Sequence, residues 1–316
     1  MTGRLLGSEC LILPLLEFKL NLNQSIEGMI DRLSRRRRKS VKKLQKLGYS
    51  YIISKNRKED FDFFYWKMYL PYTKKRFGKA AIISSYSTLE SIYEKDGGIL
   101  FVNKGDEHVF GLFFWIKGKT LFAKNIGILD ANPKFLRELA GQAALWFLIN
   151  WARTEGILFL NYGTTIPFFN DGIFMYKKEW GMYLGQHQDQ LYCTFRVNKI
   201  TEKTIHFLQE NPFICIDKNG LKGIIFIDHK PKNQDLKQIF SKYFSPRLDL
   251  LLVIACYRPE EEKANFGQST TSVNFGATSL RPLENLYTSL KESGFYFEAR
   301  KLRACADYQM VYNRVC

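Results

Sequence analysis

The 316-residue chain has no uninterrupted apolar run approaching the ~20 residues that span a bilayer; its opening stretch, MTGRLLGSECLILPLLEFKL, is broken by Pro14, Glu17 and Lys19. That pattern argues against export and membrane insertion and makes the cytoplasm the expected location. The six cysteines, Cys10, Cys193, Cys215, Cys256, Cys305 and Cys316, form no CxxC pair. The four histidines, His108, His187, His206 and His229, never fall at i, i+4. Those spacings argue against a zinc site or a small disulfide scaffold, so no metal is expected and a reducing compartment fits. G-x-S-x-G is absent, and with it the hydrolase nucleophile elbow; no Walker phosphate loop is present either. No internal repeat of about 20 to 50 residues punctuates the chain.

What the chain does have is apolar material and positive charge. Hydrophobic residues make up 46% and aromatics 15%, with 26 Phe and 17 Tyr, enough to offset the entropy of ordering and to exclude wholesale disorder. At roughly 150 residues per domain the length allows one large or two ordinary domains. Lys and Arg number 47 against 31 Asp and Glu, a formal charge of +16 that favours phosphate-rich or otherwise anionic partners. Nine of the cations lie between Arg32 and Lys46, where there is no acid. The plain reading of such a run is a solvated face. The functional reading makes Arg35, Arg36, Arg37, Arg38, Lys42 and Lys43 contacts for phosphate, because guanidinium forks grip phosphate in a bidentate way and the self-repulsion of the run is relieved by anions. A tRNA, a nucleotide-linked precursor or an anionic lipid head, at a membrane surface, meets that description.

The pattern predicts a strand over 11–22, a basic amphipathic helix from Ile26 to a C-cap at Gly48, and a strand over 49–54. An aromatic helix from about Glu59 is expected to bend or end near Leu70, before Pro71. Three runs starting at 99, 108 and 120 read as an antiparallel meander, and Pro133 opens a helix that Gly156 stops, burying Phe135, Leu136, Leu139, Ala143, Trp146, Phe147 and Ile149. ILFLNYG follows as a buried strand, 164–180 as loop and short helix, and 182–197 as a long strand. Beyond 197 the pattern restarts with a hairpin, a helix near 233–243 and the strand LDLLLVIACY. A mobile loop over 259–281, a helix over 282–292 and two strands complete the expectation.

LSRRRRKSVKKLQKLG, and LNYGTTIPFFNDGIFMYKKEWGMYLG after a buried strand, resemble in order and spacing the FemAB-like acyltransferases of the GNAT superfamily. The resemblance covers roughly residues 10 to 197. It implies an α/β chain, more closely an α+β mixed sheet, with a GNAT-type acyltransferase core over 1–197; beyond the resemblance, the restarted pattern predicts a second α/β domain over 198–316, a C-terminal extension of unknown role. It also implies transfer of an acyl or aminoacyl group from an activated ester or thioester to an amine acceptor. The acyl donor, aminoacyl-tRNA among the family's donors, is then a co-substrate, and no further cofactor is expected. One departure stands out: where coenzyme A-dependent members carry a glycine-bearing pyrophosphate loop, this chain reads LDANPKF, with no glycine and with Asp130 where a phosphate would approach. Acyl-coenzyme A is accordingly the less favoured donor.

Within that frame Asp171 is the candidate proton acceptor, although an Asn-Asp-Gly triplet is also ordinary turn chemistry. Tyr162 and Tyr176 are candidates for oxyanion or leaving-group contacts, against core packing with a satisfied hydroxyl. Lys177 and Lys178 are candidates for orienting an anionic substrate group. Tyr72 and Arg76, after the expected helix break, suit an acceptor-binding loop. Two rivals stay open: a nucleic-acid-binding protein that keeps the fold without the chemistry, and a coenzyme A-dependent GNAT acetyltransferase.

Overall fold

A computed structural model describes residues 9–185, 192–196, 201–217, 220–229, 231–257, 296–304 and 310–315. In chain order the strands are β1 (Glu9–Ile12), β2 (Leu16–Asn21), β3 (Tyr49–Ser54), β4 (Gly97–Lys104), β5 (Glu107–Lys117), β6 (Thr120–Ile128), β7 (Phe159–Thr165), β8 (Tyr183–Gly185), β9 (Cys193–Arg196), β10 (Phe213–Asp217), β11 (Gly220–Ile227), β12 (Leu250–Tyr257), β13 (Tyr296–Ala304) and β14 (Met310–Val315). The α-helices are α1 (Ile26–Arg32), α2 (Arg35–Leu44), α3 (Lys58–Phe63), α4 (Leu70–Phe77), α5 (Tyr86–Lys95), α6 (Pro133–Arg137), α7 (Ala140–Thr154), α8 (Gly172–Glu179), α9 (Glu202–Glu210) and α10 (Asn233–Tyr243). The chain is mixed α/β, and its two sheets are both mixed. Among the described residues no helix is long and apolar enough to cross a membrane.

Two compact units share the chain. One comprises residues 1–16, 164–176 and 183–316, the other 17–163 and 177–182. The boundary expected at 197 falls inside the first unit. That unit holds a seven-stranded sheet in the order β14-β13-β12-β11-β10-β1-β9, so the N-terminal strand is built into the sheet of the C-terminal half. The strand expected over 11–22 is therefore two: Pro14, which cannot donate to a ladder, sits between β1 and β2, and the pieces enter different sheets. β11 and β12 pair in parallel across α10. The expected hairpin, the helix at 233–243 and the closing strands are all present; the expected long strand over 182–197 contains β8 and β9, and residues 186–191 between them lie outside the described residues. The loop expected over 259–281 and the helix over 282–292 also lie outside them.

In the second unit the strands run β3-β4-β5-β6-β7-β2. The β4–β5–β6 meander is antiparallel as the alternation implied, and β6 pairs in parallel with β7. One face of the meander carries an aromatic core of Phe61, Phe64, Tyr65, Met68, Tyr69, Phe101 and Phe113. The helix over this core does not end near Leu70. Residues Phe64–Tyr69 form a π-helical stretch in which the Leu70 amide donates to the Tyr65 carbonyl, and α4 then carries Pro71 within its first turn. The shifted register removes the need for an amide at residue 71, so proline is tolerated inside what is locally a continuous helix. The π stretch lies directly on Gly127 of β6: a Cβ there would meet Met68 Cβ at 2.6 Å and the Tyr69 amide nitrogen at 2.7 Å. Gly127→Ala is expected to cost about 1–3 kcal/mol by overpacking, read as a lowered urea midpoint at unchanged slope.

The two long helices expected from the sequence are each broken. Ser34 interrupts the basic helix, leaving the α-region and accepting the Arg37 amide as the N-cap of α2; Gly48, at φ +66°, follows a turn after Leu44 rather than the helix itself. The helix after Pro133 stops at Arg137, and Leu139, at φ +72°, redirects the chain into α7. That redirection changes the buried face: Ala140, Ala143, Ala144, Leu145, Leu148, Ile149, Trp151 and Ala152 are buried, whereas Leu136 is exposed.

Candidate functional site

β6 and β7 form their parallel ladder over only three pairs, Thr120 with Phe159, Leu121 with Leu160 and Phe122 with Asn161. Both strands continue past the last pair, β6 to Ile128 and β7 to Thr165. Where they part, β6 also shifts register against β5 between Leu112 and Phe114. The sheet thus opens between two strands at Phe122 and Asn161, and a bulge re-aims the β6 side chains immediately beyond.

Polar side chains gather at that opening. Asn161 is buried; its Nδ2 donates to Glu17 Oε1 at 3.2 Å, and its Oδ1 accepts the Gly163 amide at 3.0 Å. Glu17, 8% exposed on β2, completes an ion pair through Oε2 with Lys19 Nζ at 3.0 Å. Strand alternation puts Glu17 and Lys19 on one face, and the Asn161 contact identifies it. Phe122, paired with Asn161, stacks on Trp115 at 5.2 Å, and Trp115 packs on the aromatic core, so this is the face that the π-helical stretch covers.

Asn125 extends the cluster along β6 beyond the bulge. It is 8% exposed; Nδ2 lies 3.3 Å from Ser84 Oγ, and Oδ1 is buried without a partner. An unpaired buried amide oxygen costs about 1–3 kcal/mol, which a substrate hydrogen bond would relieve. Ser84 is held by the aromatic layer: its amide donates to the Tyr69 hydroxyl at 2.8 Å, and Tyr65 donates to its carbonyl at 3.1 Å. Burial, with a smaller contribution from neighbouring Tyr69, pushes the Tyr65 phenol above its ordinary pKa, so it remains a donor at neutral pH.

On the opposite face of β2 and β7 stand Phe18 and Tyr162. The buried Lys177 places Nζ 5.5 Å from the Phe18 ring centroid and 6.0 Å from that of half-buried Tyr162. These two expected site residues are thus brought together, with the ammonium held against aromatic faces.

The basic run divides in two. Arg35, Arg36, Arg38, Lys42 and Lys43 are exposed, as a phosphate-contacting face requires. Arg37 is 4% exposed, and its Nη2 lies 2.7 Å from Glu179 Oε2, while the Ser34 amide donates to the Glu179 carbonyl at 2.9 Å. Its place as a substrate contact is corrected: one position in each turn of α2 faces inward, and Arg37 occupies it, fixing the helix to residue 179.

Asp171 and Tyr176 belong to the other unit. Asp171 Oδ1 accepts from Thr165 Oγ1 at 2.7 Å and from the amides of Ile173 and Phe174 at 3.0 and 2.8 Å. This is the geometry of a helix N-cap, with three donors on one carboxylate oxygen. Asp171→Asn, whose side-chain oxygen also caps, is expected to stay folded and lose under about 1 kcal/mol, whereas Asp171→Ala loses about 1–2 kcal/mol; thermal denaturation of both variants checks this. Tyr176 and Lys178 are half-buried on α8. Tyr72 and Arg76 are corrected in setting: both lie on α4 because Pro71 does not end the helix, and buried Tyr72 receives a hydrogen bond from the exposed Arg76 guanidinium.

No protein-family model matches the chain, and no curated protein gives a significant match. Solved structures are similar to it, FemX and L-PGS among them. The crystal structure of FemX matches at 14% identity with a TM-score of 0.44, over 58% of this chain and 62% of that one. The structure of L-PGS from Bacillus licheniformis matches at 13% identity with a TM-score of 0.42, over 62% and 64%. The chain spans less than two thirds of either structure. These are distant likenesses of chain path, and the functional reading rests on this chain's own residues.

Sequence reasoning missed Glu17, Asn161 and Asn125. The signal for Glu17 was present: an acid and a base two residues apart inside the apolar strand LLEFKL, which a strand buried on both faces does not tolerate unless the pair has partners. For the segment 129–135, the lack of glycine does not keep the backbone out of the left-handed region, since Asp130 and Ala131 adopt φ of 50° and 52°.

Proposed function

We propose that the chain is an N-acyltransferase moving an acyl or aminoacyl group from an activated, polyanionic carrier to an amine. The observation that carries this reading is the opening between β6 and β7 with a buried carboxylate, Glu17, beside it. Where the parallel ladder stops, backbone groups of β6 are no longer committed to β7, which is what a polarised carbonyl of the donor requires. The amine nitrogen attacks that carbonyl and a carbon–nitrogen bond forms. Collapse of the tetrahedral intermediate breaks the bond to the carrier; the proton lost by the amine goes to Glu17, which passes it to the departing oxygen or sulfur and is left ionised as before. Asn161 and Lys19 hold the two oxygens of Glu17, and the unpaired amide atom of Asn125 is a partner for the acceptor. The reaction as drawn draws on no metal.

Carrier choice follows charge. The exposed Arg35, Arg36, Arg38, Lys42 and Lys43 suit the phosphates of a tRNA, while the acid at Asp130 opposes a pyrophosphate before α6. A tRNA carrier implies action in the cytoplasm. Changing Arg35, Arg36 and Arg38 to Gln is expected to reduce the log–log salt slope of aminoacyl-tRNA binding by about 2 to 3, at roughly 0.7–0.9 per phosphate contact, in filter-binding titrations. The assay for the reading itself supplies labelled aminoacyl-tRNA or acetyl coenzyme A together with extracted small amines and lipids, and follows label into an alkali-stable amide. Binding of tRNA without any transfer would instead favour a nucleic-acid-binding protein.

A further inference from the structure

A second cationic surface lies away from α2. Residues 63–89 contain Lys67, Lys74, Lys75, Arg76 and Lys79, all exposed, and no acid. The same stretch exposes large apolar side chains: Phe77 is 47% exposed and Ile82 93%. Gly78, at φ 53°, ends α4, and the short helical turn Gly78–Ala80 carries the chain to Ile82. Four cations and two apolar side chains therefore crowd into the nine residues 74–82.

Each component alone is ordinary surface. Together they fit one chemistry, a layer of anionic groups with an apolar phase beneath it. Nucleic acid satisfies the cations and gives Phe77 a base to stack upon, but it has nothing to receive an aliphatic side chain exposed as fully as Ile82. We propose that residues 74–82 dock onto an anionic lipid bilayer, with Ile82 and Phe77 entering the boundary between headgroups and acyl chains and Lys74, Lys75 and Lys79 meeting lipid phosphates. Long lysine stems suit this placement, because they lie along apolar surface and keep the ammonium at the phosphate level. The docking is independent of the acyl-transfer reading, since none of these five residues takes part in it.

Sedimentation of the full chain with vesicles tests the proposal, comparing phosphatidylcholine alone with phosphatidylcholine plus phosphatidylserine. The protein is expected to sediment with the anionic vesicles only, and less so as salt rises. The double variant Phe77→Ser with Ile82→Ser is expected to lower partitioning at least ~10-fold. Changing Lys74, Lys75 and Lys79 to Gln is expected to lower it about 100-fold, at roughly 5-fold per charge. All five side chains are exposed, and circular dichroism verifies that the variants are folded. Failure of the wild-type chain to bind anionic vesicles overturns the proposal. So does unchanged vesicle binding by the serine variant, or loss of RNA-oligonucleotide binding in both variants with vesicle binding intact.

Discussion

Glu17→Gln is expected to lower the single-turnover rate of acyl transfer by about 10² to 10⁴-fold, the range for loss of a positioned general base. The substitution keeps the shape of the side chain and the acceptor oxygen facing Asn161 Nδ2, and it removes the charge paired with Lys19. Because Lys19 is partly exposed, its ammonium can turn to water, so stability is expected to fall by no more than about 1 kcal/mol. A rate loss without a matching loss of stability separates a chemical role from a structural one. Asp171→Asn provides the contrast. Its Oδ1 caps α8, a role that the side-chain oxygen of Asn also fills, and Glu17 is the proposed base, so the rate is expected to stay near wild type. If the two variants exchange behaviours, Asp171 is the base and the opening between β6 and β7 is architecture alone.

The second large effect is on stability. Arg37→Met is expected to cost about 2–4 kcal/mol, somewhat below the usual loss on breaking a buried ion pair because Glu179 retains some contact with water. Arg36 provides the measure: its guanidinium is 3.9 Å from the same carboxylate and largely exposed, so Arg36→Met is expected to cost under about 0.5 kcal/mol. Two adjacent arginines of one run thus differ several-fold in cost because one faces inward. Pairing Arg37→Met with Glu179→Met is expected to recover part of the loss, since both charges of the inward-facing pair are then removed together, and urea denaturation of the four proteins closes the cycle.

Where local pattern decides structure, the sequence was legible. Alternation in HVFGLFFWIKG and TLFAKNIGIL, with KGK between them, is enough for the β5–β6 hairpin, and the spacing over 233–243 matches α10 residue for residue. Where a distant contact decides, it was not. Glu17 and Asn161 are 144 residues apart, and nothing near either says that they share a hydrogen bond. The breaks at Ser34 and Leu139 were hidden by helix-compatible spacing on both sides. Pro71 misled in the other direction: a π-helical stretch absorbs a residue that would end an α-helix. For Asp171 the turn and base readings were both visible in Asn-Asp-Gly; the three donors on Oδ1 show the capping role, and the rate of Asp171→Asn tests the other.

The transfer assay run with wild-type protein and Glu17→Gln side by side tests the central claim most directly. With labelled aminoacyl-tRNA as donor, the account predicts that wild-type protein moves label into an alkali-stable amide in a single turnover, and that Glu17→Gln does so at least ~10²-fold more slowly while still binding the donor. Transfer at equal rates by both proteins, or label leaving neither aminoacyl-tRNA nor acetyl coenzyme A, would contradict it.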